Sequence, residues 1–211
     1  MSVLRSFGEI VEAIRAAGPR LVVGIVGAPG AGKSTIAAEL APLLPAVVLP
    51  MDGFHLPQAR LVELGRRDRM GAPDTLDVDG FLATLTAVRE NLDSPNFENS
   101  GHPVLAPGFD RGIEEPVPDA LAISPEFPYV LIEGNYLLLD GDGWQRAAEL
   151  FDLTFFVDVP DDIRIPRLIA RHVRFGKSDE DARAWALGPD QANAELIGAT
   201  AARADYLIRL P

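Results

Sequence analysis

Gly27-Ala28-Pro29-Gly30-Ala31-Gly32-Lys33-Ser34 follows an unbroken apolar run at 21–26 and opens an alanine-rich stretch at 33–44. It matches GxxxxGK[ST] in full, and the residue types suit one task. Glycines let backbone N–H groups turn inward around phosphate oxygens with no Cβ in the way. A helix starting near Lys33 aims its positive end at the same anion. Lys33 is then placed for the β- and γ-phosphates, the Ser34 hydroxyl for magnesium, and Thr35 for support at the helix start. The apolar run at 21–26 reads as a strand buried on both faces of a parallel sheet. Strand, glycine turn and helix in that order are the context the motif requires, and it predicts a nucleoside triphosphate site at residues 27–35.

Working outward, Pro45 ends the helix predicted at 33–44, and 46–49 gives a second short buried strand. Apolar runs recur at 129–132, 153–157 and 206–210, with helical segments between most of them. Short apolar strands alternating with helices predict βαβ units and a doubly wound α/β sheet covered on both faces. An amphipathic helix is expected over 4–17, ended by Gly18-Pro19, and another over 79–92, started by Asp77 or Asp79. Residues 92–128 turn proline- and glycine-rich and read as a long irregular excursion containing a hairpin; a loop of that size in a compact domain is more often functional than idle. The length, 211 residues, suits one domain, 1–211.

Composition removes several classes. The absence of cysteine excludes disulfides, zinc–thiolate sites and thiol catalysis, and fits a cytoplasmic location. His55, His102 and His172 are far apart and show no metal-binding spacing; His102 and His172 read as surface residues. With a net charge of −12, no nucleic-acid partner is expected. No run approaches eighteen apolar residues, so no membrane partner is expected either, and the first eighteen residues lack the pattern of a secretory signal. GTPase and transporter motifs (NKxD, LSGGQ) are missing. The remaining classes are a small kinase and a nucleotide-dependent regulator.

A kinase needs further groups. Asp52, in Met51-Asp52-Gly53-Phe54-His55, follows the second strand, where ligands of doubly wound sheets bind. It can act as the base for an acceptor hydroxyl or merely cap a turn before Gly53. His55 is a candidate substrate contact from the same loop. Glu133 ends the strand Val130-Leu131-Ile132 and suits either a magnesium-site acid or a solvent-exposed strand end. Arg164, Arg167, Arg171 and Arg174 fall within an arc of about 80° on a helix, which fits arginines closing on a transferring phosphoryl group or a solvated helix face. Pro166 predicts an irregular start or a bend there. Asp74 and Asp77, beside Arg69, flank a rigid turn and suit sugar hydroxyls or turn formation. Trp185 and Phe81 read as core.

Together, GAPGAGKST, MDGFH, RMGAPDTLD, PGFDR, IEGNY, FFVDVP, RLIARHVRFGKS and NAELI resemble the P-loop kinases that include uridine kinase, pantothenate kinase and phosphoribulokinase. Within that family the chain most resembles the bacterial branch called fructose transport system kinase or fructokinase-like. The resemblance implies a three-layer P-loop NTPase fold with a parallel five-stranded sheet in the order 2-3-1-4-5, helices on both faces, and a mobile lid at about 163–177. It implies Asp52 as catalytic base, with Lys33, Arg167 and Arg171 in catalysis and Arg174 on the nucleotide. It further implies Glu133 at magnesium, beside the Ser34 already read from the motif, and Arg69, Asp74, Asp77, Phe109, Asp110, Arg111 and Tyr136 as substrate contacts beside the candidate His55. Asn193 would support the site from the last helix. The expected activity is ATP- and Mg2+-dependent phosphorylation of a hydroxyl on a small metabolite, a sugar first, with a related polyol or nucleoside next. Pantothenate- or uridine-kinase-like activity, and a nucleotide-binding accessory protein of a sugar transport system, are the alternatives. A homodimer is left open.

Overall fold

The computed structural model describes residues 1–94 and 102–210; residues 95–101, within the predicted excursion, lie outside them. The central element is β2 (Leu21–Gly27), buried along its whole length. It lies between two equally buried parallel neighbours, β6 (Tyr129–Gly134) and β7 (Leu153–Val157). The strand period of two sorts their side chains. Val23 and Ile25 join one core with Ile10 and Ile14 of α1 (Phe7–Ala17) and Ile36 and Leu40 of α2 (Lys33–Leu40). Val22 and Val26 join the opposite core with Phe81 and Leu85 of α4 (Val78–Asp93) and Ile197 of α7 (Pro189–Gly198). Two cores of this kind explain why the strands read as continuous apolar runs without alternation.

Outside this trio, β3 (Ala46–Pro50) pairs with β6, and β8 (Tyr206–Ile208) pairs with β7. These five strands stand in the order implied by the resemblance, but the sheet has six parallel strands rather than five. The sixth, β1 (Ser2–Leu4), pairs with β8 at the edge. Three half-exposed residues carry no readable periodicity, and only the neighbouring strand defines them. The first helix accordingly starts at Phe7 rather than at residue 4, where the Ser6 side chain accepts a hydrogen bond from the Glu9 N–H at 3.2 Å. The helix after the glycine loop stops at Leu40 and continues as a 3₁₀ turn, Ala41–Leu43, because Pro42 lacks the N–H that an α-helix would use.

The excursion contains an antiparallel hairpin, β4 (Val104–Asp110) and β5 (Glu115–Ile123), which forms its own two-stranded sheet. It reaches the main sheet through Gly53 in the 3₁₀ turn Met51–Phe54. A Cβ on Gly53 would lie 2.0 Å from the Pro107 carbonyl oxygen, so only glycine lets the hairpin sit this close. Asp77 caps α4 by accepting the Gly80 N–H at 3.0 Å. After β7 come α5 (Asp161–Arg174) and α6 (Asp179–Leu187). Pro166 lies inside α5, which is continuous over all fourteen residues. A short helix, α3 (Gln58–Glu63), leads into the turn segment at 67–75.

Candidate active site

The C-terminal ends of β2, β3 and β6 converge on one side of the sheet, and each delivers a polar residue there. From β2 the glycine loop turns into α2 with Gly30 at φ 81° and Gly32 at φ 91°, both left-handed and suited to glycine. A Cβ on Gly32 would meet nothing within 4 Å, so the loop is open on that side. Gly30, Ala31, Gly32, Lys33, Ser34 and Thr35 line a long groove together with Arg167, Arg171 and Arg174 of α5. The N–H groups of the first turn of α2 have no partner within the helix, and this end offers donors and a positive dipole to an anion. Gly27 and Ala28 contribute their carbonyls, both bonded by the Lys33 ammonium at 2.8 and 3.1 Å. The carbonyl of Pro29 is held from below by Arg164 Nη1 at 3.0 Å.

A second cavity, of about 140 Å³, joins the groove through Lys33, Ser34, Arg111 and Arg171, which line both. Asp52, His55, Phe109 and Glu133 face it. Glu133 is buried and accepts the Ser34 hydroxyl at 2.7 Å, so this acid is not a solvated strand end. Asn135 accepts from the Lys33 ammonium at 2.7 Å. Asp52 pairs with Arg111 Nη2 at 2.5 Å, and His55, which caps the same 3₁₀ turn, has its ring 4.9 Å from that of Phe109. The hairpin thus delivers Phe109 and Arg111 to the loop that carries Asp52.

The charges here are set by burial and by one another. Burial drives the Lys33 ammonium down to about 8, against the opposing pull of Glu133 and Asp52. Burial raises Glu133, and the charge of Asp52 raises it further. Burial would raise Asp52 as well, but His55, Arg111, Lys33 and Arg171 outweigh it and hold this carboxyl below its ordinary value. Two neighbouring carboxyls are therefore pushed in opposite directions, as in sites that divide roles between two acids. Burial, and then repulsion from Arg111, lowers the Arg171 guanidinium.

Other predicted contacts lie elsewhere. Tyr136 does not reach the cavity: it is 1% exposed and its hydroxyl donates to the Gly71 carbonyl. Arg69 is exposed and paired with Asp74, which Arg66 also holds; neither Arg69 nor Asp74 lines the cavity. Asp77 is spent on the α4 cap, and Asp110 accepts the Gly112 N–H at the exposed hairpin tip. Short acids at turns satisfy local N–H groups first, which keeps Asp77 and Asp110 out of the cavity. Of the arginine stripe, Arg164 is buried and tied to Asp161, Pro29 and Gln191, whereas Arg167 and Arg174 are exposed.

Some cavity residues escaped the sequence. His172, expected at the surface, lines the cavity and bonds Asp190 at 2.7 Å. Trp185, expected in the core, is half-buried on the cavity wall with Lys177 4.7 Å above its ring. Arg67 and Glu114 also line it. The cluster Arg66-Arg67-Asp68-Arg69 was the only sequence signal for Arg67, and nothing local marks Glu114. Asn193 donates to the Gly71 carbonyl at 3.3 Å and so steadies a cavity residue from α7. Among the described residues no helix is long and apolar enough to cross a membrane, and no three acids or histidines cluster as a metal cage.

No family model matches the chain. An ATP-dependent kinase-like protein of Aspergillus versicolor is 39% identical over 153 residues, covering 70% of this chain and 86% of the relative. A candidate uridine kinase of Schizosaccharomyces pombe is 32% identical over 171 residues, covering 74% and 68%. The chain belongs to the ATP-dependent P-loop kinases. Its likeness to a solved structure is nearly complete: a candidate fructose transport system kinase from Silicibacter sp. TM1040 shares 34% identity and superposes with a TM-score of 0.83, over 97% of this kinase and 99% of that chain. This places the kinase among small-molecule phosphotransferases that use a hydroxyl acceptor.

Proposed function

We propose that this kinase transfers the γ-phosphoryl group of ATP to a hydroxyl of a sugar or related polyol, with Asp52 as the base. The observation that carries this reading is that Asp52, Lys33, Ser34 and Glu133 face one cavity continuous with the groove along the glycine loop. The cavity, at about 140 Å³, is small beside the 300–1,000 Å³ usual for drug-sized ligands, which suits a small acceptor. In the transfer, the acceptor oxygen bonds to the γ-phosphorus, the bond from that phosphorus to the β-bridging oxygen breaks, and ADP leaves with the electron pair. The hydroxyl proton passes to Asp52.

Asp52 begins as a weak base because His55, Arg111, Lys33 and Arg171 together outweigh its burial, Arg111 by direct pairing. Phosphoryl transfer runs through a loose transition state, so the hydroxyl needs orientation more than early deprotonation. Arg111 lines both groove and cavity. If it turns to the transferring group, one of the charges opposing burial is withdrawn, and Asp52 becomes a better proton acceptor than in the resting site. Lys33 and Arg171 also line both spaces and stabilise charge there, while Arg167 and Arg174 close on the nucleotide from α5.

The Ser34 hydroxyl and the Glu133 carboxylate, 2.7 Å apart, are hard oxygen donors of the kind magnesium takes alongside waters and phosphate oxygens. Two protein oxygens without a cage fit that ion, which would neutralise charge on the triphosphate. The test is ADP production with ATP and magnesium against a panel of sugars, polyols, nucleosides and pantothenate. One acceptor should stimulate turnover well above the rate with ATP alone; ATP binding without stimulation by any acceptor in the panel would refute the proposal.

A further inference from the structure

Beyond Asp52, the end of the cavity not shared with the nucleotide groove carries two permanent cations in a chain of net charge −12: Arg67 and Lys177. They come from different elements, the turn at 67–69 and the segment after α5, and both face Glu114 at the hairpin tip. Arg67 Nη2 lies 2.6 Å from that carboxylate, but Lys177 Nζ lies 3.9 Å away, at the limit of an ion pair. Two positive charges thus share one negative charge. The other carboxylate at this end, Asp190, is bonded to His172 at 2.7 Å. A neutral polyol is best held by free carboxylates, each accepting two hydroxyl hydrogens. Here the carboxylates are engaged, and the remaining capacity lies with N–H donors: Arg67 gives Nε–H to Gln58 Oε1 at 3.1 Å and Nη2–H to Glu114, two of its five donors.

Resting on the kinase reading above, we propose that the acceptor of this enzyme carries, besides its reacting hydroxyl, an anionic group seated between Arg67 and Lys177, where it displaces Glu114. The shared chemistry is a compact oxyanion, carboxylate or phosphate. Arginine and lysine are the side chains that bind both, and charge-assisted hydrogen bonds to such groups are the stronger ones. Glu114 holds the seat as an internal counter-ion until the acceptor arrives. An unsubstituted sugar offers this end nothing to pair with, which sets the preference against a neutral hexose.

The test is calorimetric titration of the full chain, with magnesium and a non-hydrolysable ATP analogue present, using D-fructose, D-fructose 6-phosphate and D-glycerate as probes. At least one anion should bind ten-fold or more tightly than fructose, and the two anions tell phosphate from carboxylate. Arg67→Met and Lys177→Met should each weaken that anion about 10–100-fold, with unchanged affinity for the ATP analogue as the check on folding. Lys177→Met, whose ion pair is the looser, decides the matter if Arg67→Met does not fold. Glu114→Gln should tighten anion binding several-fold, whereas a mere brace for the hairpin would weaken it. Fructose binding as well as both anions, anion affinity indifferent to the two cations, or weaker anion binding in Glu114→Gln would overturn the proposal. The kinase reading fails separately, through absence of acceptor-stimulated ADP production while the anion still binds.

Discussion

Replacing Asp52 by asparagine keeps the shape of the side chain and removes its charge, which separates chemistry from binding. Asp52 faces the cavity proposed for the acceptor and does not line the groove along the glycine loop. Its loss should therefore lower turnover by about 10²–10⁴, the range of a positioned base, and change ATP affinity by roughly three-fold or less. Two side effects can be sized from the structure. The Asp52–Arg111 pair is partly open, with side chains 27% and 38% exposed, so its contribution to stability is about 0–1 kcal/mol, and Tm should move by no more than about 4 °C. Asp52 also supports the charge on Lys33, so ATP binding is best measured at about pH 7, where the lysine stays protonated. The assay is steady-state ADP production beside calorimetric ATP binding and a thermal melt. Equal losses in turnover and ATP affinity, or a melt shifted well beyond that limit, would refute the role of Asp52 as a base acting chiefly in the transition state.

Lys33 sits near 8 in the ligand-free fold, so above that pH it is mostly neutral and must take up a proton to meet a triphosphate. ATP affinity should fall by up to about ten-fold per pH unit above 8, with proton uptake visible by calorimetry in buffers of different ionisation enthalpy; a flat profile from pH 7 to about 9.5 would contradict it. The arginines of α5 should part company. Arg164→Met strands the Pro29 carbonyl and Gln191 and should cost about 2–4 kcal/mol of stability by denaturant titration. Arg171→Met, at a residue with no ion pair within 4 Å among the described residues, should leave stability nearly unchanged while turnover drops. Gly53→Ala forces a Cβ against the Pro107 carbonyl; overpacking of about 1–3 kcal/mol and displacement of Arg111 should lower both Tm and turnover, and a fully active variant would show that the hairpin does not need that close approach.

The sequence alone determined the parts of this protein whose physics is local. A glycine loop between a buried strand and a helix is written in consecutive residues 27–34, and strands buried on both faces announce themselves as unbroken apolar runs, so five of the six strands of the main sheet, the helices α1, α2 and α4 packed on them and the phosphate loop were legible. Asp52 and Glu133 were legible as candidates because each directly follows or ends such a strand. What only the tertiary structure decided is which charges meet. Arg67, Glu114 and Lys177 are separated by 47 and 63 positions along the chain and come together only because Gly53 admits the hairpin against the sheet and the segment after α5 brings Lys177 to its tip. Equally, Asp77, Asp110 and Tyr136 looked like ligands but found partners in their own turns or in the Gly71 carbonyl. A side chain's neighbours across the fold, and so its free hydrogen-bonding capacity and charge state, depend on distances that no spacing in sequence encodes.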